Sequence, residues 1–503
     1  MNWGRVVLAL GAAALMSTGV AFAGASQPAG SVHQASGKNG CYTSDGSSEA
    51  GADTCHNIRG GEGSTTLTIS PDGHFAYLVG YGNSESNVPP PVLSIFHRNN
   101  KNGKLQQLPG KSGCFSHDGS SEDGPDTCTK ARDLDSGDAT SIVISRDGRS
   151  LYVASQYSPS PKDIGGIAVF KRNLKTGTLR QPRGKAGCVV AVAYKNCAVA
   201  REVDDTSNLQ ITPDQKYLYA SNYDNPPHSG IAIFKRNAES GTLRQLSGSN
   251  GCVTDAGTTV QSGTTKVCRA MPNLSSPWDV ATPDNHFAYI PAAYNNINLV
   301  QAFKRNAKGG LIPLKGKGGC VSDTATSPAG QCVKGHGLSN PERALLSKNK
   351  SFIYVGSYQP PSPIVVLNRN LKTGLLSERR GLAACISLDG NTGDGIGSCR
   401  DGRAINGEYA GAITPDGRTL YFSEYTADAL ASFRLSPKTG AFSQLRGKFG
   451  CVTPDGSSEE GSATCQKGRA IAGAYQVELG SGGRDVYVSA YNDNGVALFH
   501  AAP

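Results

Sequence analysis

Residues Gly411 to Leu445 read GAITPDGRTLYFSEYTADALASFRLSPKTGAFSQL, and their pattern decides the fold. A short apolar stretch, GAIT, runs into the Pro415-Asp416-Gly417 turn. TLYFSEY follows, then a loop, the apolar ALASFRL, a second turn at Pro437-Lys438-Thr439-Gly440, and AFSQL. Side chains that alternate with period two mark strands, and Pro-Asp-Gly and Thr-Gly supply tight turns between them. The stretch predicts four short antiparallel strands, the module of a propeller blade.

The same line of text recurs seven times. Its first half appears as SPDGHFAYLVGY, SRDGRSLYVASQY, TPDQKYLYASNY, TPDNHFAYIPAAY, SKNKSFIYVGSY, TPDGRTLYFSEY and GSGGRDVYVSAY. The first tyrosines of these units, Tyr77, Tyr152, Tyr219, Tyr289, Tyr354, Tyr421 and Tyr487, stand 65 to 75 residues apart. Units of this length bury their faces only against neighbours, so repeats take precedence over length in counting domains. The prediction is an all-β chain folded as one seven-bladed β-propeller of four-stranded antiparallel blades. No segment carries a sustained helical stripe, which excludes a doubly wound α/β fold.

The ends fit a closed ring. The chain stops after GVALFHAAP, which supplies only a third strand, while HQASGKNGC at His33 to Cys41 matches the fourth-strand segment RQLSGSNGC at Arg244 to Cys252. The N-terminal strand is therefore expected to complete the last blade, leaving few free edges. Ahead of it, Met1 to Ala23 has a basic start, an apolar run and a small-residue cleavage signature at Ala21-Phe22-Ala23, the marks of a secretory signal peptide. The expected organisation is a signal peptide at 1–23, a mature tail at 24–31 and a single propeller at 32–503, exported to the periplasm or outside the cell. No later stretch reaches the 18 apolar residues of a membrane span.

With 63 glycines and 27 prolines the 503-residue chain is turn-rich, and 38% hydrophobic residues exclude wholesale disorder. The net charge of +9 is modest and its basic residues are dispersed, so no nucleic-acid partner is expected. Fourteen cysteines fall into seven neighbouring pairs, one per unit. They are Cys41 with Cys55, Cys114 with Cys128, Cys188 with Cys197, Cys252 with Cys268, Cys320 with Cys332, Cys385 with Cys399 and Cys451 with Cys465. An even count, an export signal and one pair per repeat predict seven local disulfides. No pair has CxxC spacing or a His-x-His companion, as zinc would require.

The repeated Pro-Asp-Gly-Arg-x-Leu-Tyr-Val strand pair, with its following apolar strand and Thr-Gly-x-Leu turn, resembles the lactonase-type (YVTN-like) seven-bladed β-propellers. The likeness spans almost all of the mature chain and concerns architecture. It implies functions that range from lactone hydrolysis through cyclases labelled for carboxymuconate and uronate-cleaving lyases to non-enzymatic binding. The signal peptide and the stapled loop in every blade depart from the cytosolic lactonases. Intracellular sugar phosphates are absent outside the cell, which argues against a phosphogluconolactone substrate.

In a propeller blade the loop after the second strand and the passage to the next blade share one face. The long, irregular sequences SQYSPSPKDIGG, NYDNPPHSG and SYQPPSP fall there, as do the disulfide loops, so function is expected on that face around the channel mouth. Four residues past the second cysteine of each pair stand Arg59, Arg132, Arg201, Pro272, His336, Arg403 and Arg469. Five arginines so placed either bond local backbone or form a partial cationic ring able to grip a carboxylate, sulfate or phosphate. His336, within GHG, is the odd member and a candidate acid or base near neutral pH. His228 in NYDNPPHSG is a second histidine candidate. The second tyrosine of each unit, Tyr81 being the first, is expected to be mainly structural.

A substrate lacks sevenfold symmetry, so residues that differ between blades carry the most information. Aligning first strands sets Trp278-Asp279, Glu342-Arg343, Glu408-Tyr409 and Tyr475-Gln476 against Thr65-Thr66, Thr140-Ser141 and Ser207-Asn208. Trp278 either stacks on a sugar ring or fills a blade interface. Arg201, Arg343 and Arg403, with Trp278 and His228, are the expected binding residues for an anionic small molecule or saccharide. His336 is the expected general acid/base, assisted by Glu342 or Tyr409, in lactone hydrolysis or β-elimination from a uronate. The alternative is a non-catalytic binder of an anionic glycan or a protein. No cofactor is expected; calcium held by Asp45, Glu49 and Asp53 or by Asp118, Glu122 and Asp126 competes with simple solvation of those loops. The chain is expected to be a monomer.

Overall fold

Apolar residues at alternate positions, interrupted by turn residues every six to eight, give short strands that cannot cover both faces alone; they stack. In the computed structural model they form seven antiparallel sheets arranged in a ring, a seven-bladed β-propeller, without an α-helix among the described residues. The structure describes residues 27–503 apart from 83–90, 135–136, 157–164, 224–228, 260–264, 273, 295–296, 324–325, 328–329, 380 and 393–398. The expected signal peptide, Tyr157 and His228 lie outside the described residues.

Blade six shows the pattern. Glu408–Ile413 is the inner strand, followed outward by Thr419–Glu424 and Ala429–Leu435. The outer strand is broken in two, Phe442–Gln444 and Cys451–Thr453, both paired with Ala429–Leu435. A disulfide loop then returns the chain as Gln466–Lys467, parallel to Cys451–Thr453, before it crosses to the next blade.

All seven expected disulfides are formed at this outer rim, each closing a separation of 9 to 16 residues. Cys41 joins Cys55, Cys114 joins Cys128, Cys188 joins Cys197 and Cys252 joins Cys268. Cys320 joins Cys332, Cys385 joins Cys399 and Cys451 joins Cys465, so every pairing is the one expected. Cross-links of this kind persist in oxidising compartments, which is consistent with a periplasmic or extracellular location. Among the described residues no helix is long and apolar enough to cross a membrane.

Ring closure follows the expected route. Val32–Gln34 and Cys41–Thr43 both pair with Gly495–Ala501, so the N-terminal segment supplies the broken outer strand of blade seven. Between blades the cores are apolar, as in the set Phe75, Val79, Leu93, Ile142, Leu151 and Phe170.

The recurring words of the repeat act at the seams. The Tyr77 hydroxyl of blade one donates to Gly177 O in the Thr-Gly turn of blade two and accepts from Arg172 Nε, both at 2.7 Å. Arg172 also donates to Asp72, the aspartate of blade one's Pro-Asp-Gly turn, at 2.8 Å. Farther out, Arg59 donates to Leu108 O and Gly110 O of the adjoining outer strand. Its own backbone N–H and C=O exchange hydrogen bonds with the Gln107 side chain. Buried polar groups of this kind need partners, and here each partner sits on the neighbouring blade. The motif spells the joints.

Candidate functional site

At the axis six of the seven inner strands carry a bulge near their start, where one residue has no partner on the second strand. Blade four keeps only two isolated bridges, Pro277 with Ala292 and Ala281 with Tyr289, which fix the same register. A bulge turns its extra side chain away from the regular alternation. The seven bulge residues are Thr65, Thr140, Ser207, Trp278, Glu342, Tyr409 and Tyr475. Those that follow are Thr66, Ser141, Asn208, Asp279, Arg343, Ala410 and Gln476. The expected pairing of Glu408-Tyr409 with Glu342-Arg343 is thus one residue out: Ala410, not Tyr409, faces Ser423 as Arg343 faces Gly356.

The ring is lopsided. Blades one to three present small hydroxyls, which bond neighbouring backbone: Thr65 Oγ1 to Ala139 O, Thr140 Oγ1 to Thr206 O, Ser207 Oγ to Pro277 O. Blades four to seven present Trp278, Glu342, Tyr409 and Tyr475. Their rings meet across the axis, Trp278 to Tyr409 at 6.0 Å and Tyr409 to Tyr475 at 4.2 Å between centroids. The second-strand tyrosines Tyr223, Tyr358, Tyr425 and Tyr491 extend this layer, with Tyr223 against Trp278 at 4.0 Å. Of the two roles expected for Trp278, the structure shows the packing one: its buried ring lies against Tyr223 and Tyr409 of other blades.

Glu342 is buried in this layer, and its Oε2 has no hydrogen-bond partner. Loss of solvent drives its carboxyl up to about 8, with Arg343 pulling the other way, so it carries a proton at neutral pH. Burial also raises the Tyr409 hydroxyl, helped by Tyr475 and Glu342. Glu408 and Glu424 face each other as cross-strand partners, both buried. Neither oxygen of Glu408 has a partner, while Glu424 accepts from Asn406 N–H at 3.2 Å. Desolvation, reinforced for Glu408 by Glu424, pushes this pair well above the carboxylate range.

Beside the layer a cavity of about 340 Å³ runs along the axis, lined from all seven blades by residues that include Thr66, Ser141, Asn208, Asp279, Arg343 and Gln476. Arg343 donates to Tyr409 O at 2.9 Å and Trp278 O at 3.4 Å, which holds its guanidinium at the cavity wall. Asp279 accepts from Ala344 N–H at 3.1 Å and Val280 N–H at 2.7 Å; burial raises its carboxyl against the pull of Arg343. The volume lies at the small end of ordinary ligand pockets.

The other expected residues are elsewhere. Arg201 and Arg403 form no axial ring: like Arg59, Arg132 and Arg469 they reach across seams to outer-strand carbonyls, Arg201 to Leu246 O and Gly248 O, Arg403 to Leu445 O and Gly447 O. The segment after each disulfide approaches the axis, but a guanidinium at its outer end finds orphan carbonyls first. His336 sits at the same outer position, its N–H donating to Glu378 at 2.8 Å and its ring 3.8 Å from that carboxylate. The structure does not bring it to Glu342. The acidic loops are engaged locally: Glu122 accepts from Gly60 and Gly61, Glu49 from Ala470, and Asp126 pairs with Lys111. Among the described residues no group of three or more His, Cys, Asp or Glu is arranged to hold a metal.

Sequence reasoning missed Asp279 as a partner of Arg343 and the Glu408–Glu424 pair altogether. Glu424 was visible as the one charged residue at a position where other blades have Gly80, Ser155, Asn222, Ala292, Ser357 and Ala490.

No protein-family model matches the sequence, and no curated protein matches it significantly. Among solved structures, the chain is similar to the periplasmic gluconolactonase PpgL of Pseudomonas aeruginosa, at 16% identity and a TM-score of 0.49, covering 76% of this chain and 84% of that one. It is similar to a putative 6-phosphogluconolactonase from Bacteroides uniformis ATCC 8492 at 13% identity and a TM-score of 0.47, covering 87% and 92%. A comparable likeness, 10% identity and a TM-score of 0.44 over 88% and 97%, joins it to the Swd1 β-propeller domain of Myceliophteria thermophila.

Proposed function

We propose that the protein is an exported lactonase-like enzyme acting on a lactonised or carboxylated small molecule or a uronate-containing saccharide, with Glu342 as its proton-transferring group. One observation carries the reading: a buried carboxyl with an unpartnered oxygen stands next to a guanidinium at the wall of an axial cavity. In lactone hydrolysis water adds to the ring carbonyl, the C–O bond breaks, and the departing alkoxide takes the Glu342 proton. The added water's proton restores the carboxyl. Arg343 offsets charge on the oxyanion, and Tyr409, kept protonated by burial, can donate to it. Two buried carboxyls, Asp279 and Glu342, interact with this arginine, and burial raises both.

The test is turnover of a panel of lactones and uronate oligosaccharides by the oxidised protein. Glu342→Gln is expected to lower kcat about 10²–10⁴-fold, with His336→Ala unchanged. Activity that survives Glu342→Gln but is lost in His336→Ala overturns the assignment. The alternative, a binder of a glycan or protein, draws support from the aromatic layer, since Tyr and Trp rings offer stacking faces. Saturable glycan binding with no product formed from any panel member selects it.

A further inference from the structure

Five of the seven seams are locked by an arginine from the end of a third strand. Arg172 donates to the Tyr77 hydroxyl, Gly148 O and Asp72; Arg236 to the Tyr152 hydroxyl and Gln215 O; Arg369 to the Tyr289 hydroxyl, Lys350 O and Asp284. Arg305 pairs with Asp214, and Arg98 with Tyr487, Gly73 O and Asp485. At Arg98, Arg172, Arg236 and Arg369 a planar guanidinium thus meets a phenol oxygen and a turn carbonyl, and at four of the five seams it bonds a carboxylate directly; at Arg236 the nearest, Asp147, lies 3.9 Å away. These are the groups its fixed fork suits.

Blades six and seven lack the arginine. In blade six the position is Leu435, and the aspartate that would face it is replaced by Asn349, so charge and partner are gone together. In blade seven it is Ala501, yet the facing groups remain. Strand register places Ala501 where Arg172 stands, since His500 pairs with Asp485 as Lys171 pairs with Ser150. The facing blade keeps Tyr421 and Asp416, and the turn keeps Gly483 where blade two has Gly148. Ala501, Tyr421, Asp416 and Gly483 line one cavity of about 710 Å³. The Tyr421 hydroxyl donates to Gly30 O at 2.9 Å, as Tyr77 does to Gly177 O, but no arginine donates to it. Asp416 Oδ1 accepts from Thr414 and Arg418 as Asp72 Oδ1 does from Ser70 and His74; the oxygen that Arg172 uses on Asp72 is the one Asp416 has to spare.

We infer that this cavity between blades six and seven is a binding site for a guanidinium group from outside the propeller. Arg418, Arg434 and Arg484 also line it. They do not forbid such a ligand. The seam that seats Arg236 carries the same three positive charges at the matching positions, Arg149, Lys171 and Lys216, and Arg236 is buried there. The ligand is either a small guanidinium compound or an arginine side chain on a partner protein, and the two sources share the recognition chemistry.

The experiment measures binding of methylguanidinium and of N-acetylarginine amide to the intact protein, with N-acetyllysine amide as control. Both guanidinium probes are expected to bind saturably and the lysine probe at least tenfold more weakly, because an ammonium cannot span the three acceptors. Ala501→Arg fills the site from within: it is expected to abolish binding and raise Tm by about 1–3 °C. Asp416→Asn should weaken binding at least tenfold in a protein whose Tm barely moves. Binding of methylguanidinium equal to that of the amide identifies a small-molecule site; markedly tighter binding of the amide identifies a peptide-borne arginine. Absence of binding, or binding that persists in Ala501→Arg, overturns the inference.

Discussion

A carboxyl that keeps its proton at neutral pH leaves a signature in stability as well as in chemistry. Glu342 titrates near 8 and Glu478, which accepts from Ile69 N–H, near 7, both raised by burial. The unfolded chain releases these protons at ordinary carboxylate values, about 4.3. Between that value and 7–8 the folded state binds more protons than the unfolded one, so stability is full below the unfolded pKa and is lost as pH rises. For Glu342 the loss is on the order of 5 kcal/mol across the window. The expected result is a Tm that falls steadily from pH 5 to pH 8, with a shallower fall in Glu342→Gln. A wild-type Tm that rises over this range would show Glu342 ionised and remove it as a proton donor. The inner strands are also where reading the sequence lost a residue. They are polar and bulged, so alternation gives no register, and Glu408 was set where Tyr409 belongs. Counting five residues back from the Ser or Thr that opens the turn recovers it in blades one, two, three, five and six (Ser70, Ser145, Thr212, Ser347, Thr414), whereas in blade four Trp278 stands only four residues before Thr282.

At the scale of the strand and its seam, the outer clamp shows what sevenfold comparison adds. Gly113 lies beneath the Arg59 guanidinium: a Cβ there would stand 2.7 Å from Arg59 Nη2 and 2.1 Å from Leu108 O. Gly187, Gly251, Gly450 and Gly40 repeat the approach at Arg132, Arg201, Arg403 and Arg469. The blade that has His336 instead of arginine also has Glu378 instead of glutamine and Ala384 instead of glycine. The three changes fit one cause: without a guanidinium there is room for a methyl, and a carboxylate replaces the amide beside the imidazole. His336 thus stood out in the sequence for a reason of packing. Where a long side chain ends was not legible from its position along the chain. Gly113→Ala is expected to cost about 2 kcal/mol by expelling Arg59 from its carbonyls. Combined with Arg59→His it should cost clearly less than the two single changes together, as coupled neighbours do. Strict additivity in urea unfolding would deny the coupling.

For the whole molecule, the repeats and the split last blade were legible because turns, tyrosines and cysteines recur in the chain itself; what the ring brings together was not. Closure rests on Gly495–Ala501, which receives both Val32–Gln34 and Cys41–Thr43. Gly30 N–H donates to Ala502 O at 2.9 Å, so the described ends of the propeller already touch. The same topology can therefore be opened elsewhere. Joining Pro503 to Pro28 through a short Gly-Ser linker and cutting between Lys175 and Thr176, an exposed turn between third and outer strands, moves the split from blade seven to blade two. The permuted chain is expected to form all seven disulfides and to melt within about 5 °C of the parent, since no blade-to-blade bond is lost. Deleting residues 27–43 is a different matter. It leaves Gly495–Ala501 without its outer partners, removes Cys41 and so strands Cys55, and takes from Arg469 the Gln34 and Gly37 contacts that close the last seam. That protein is expected to unfold at a much lower temperature and to associate through the bared edge. If it melted like the parent, the blades would be holding together without a closed ring, and residues from blades four to seven would have no structural reason to meet at one axis.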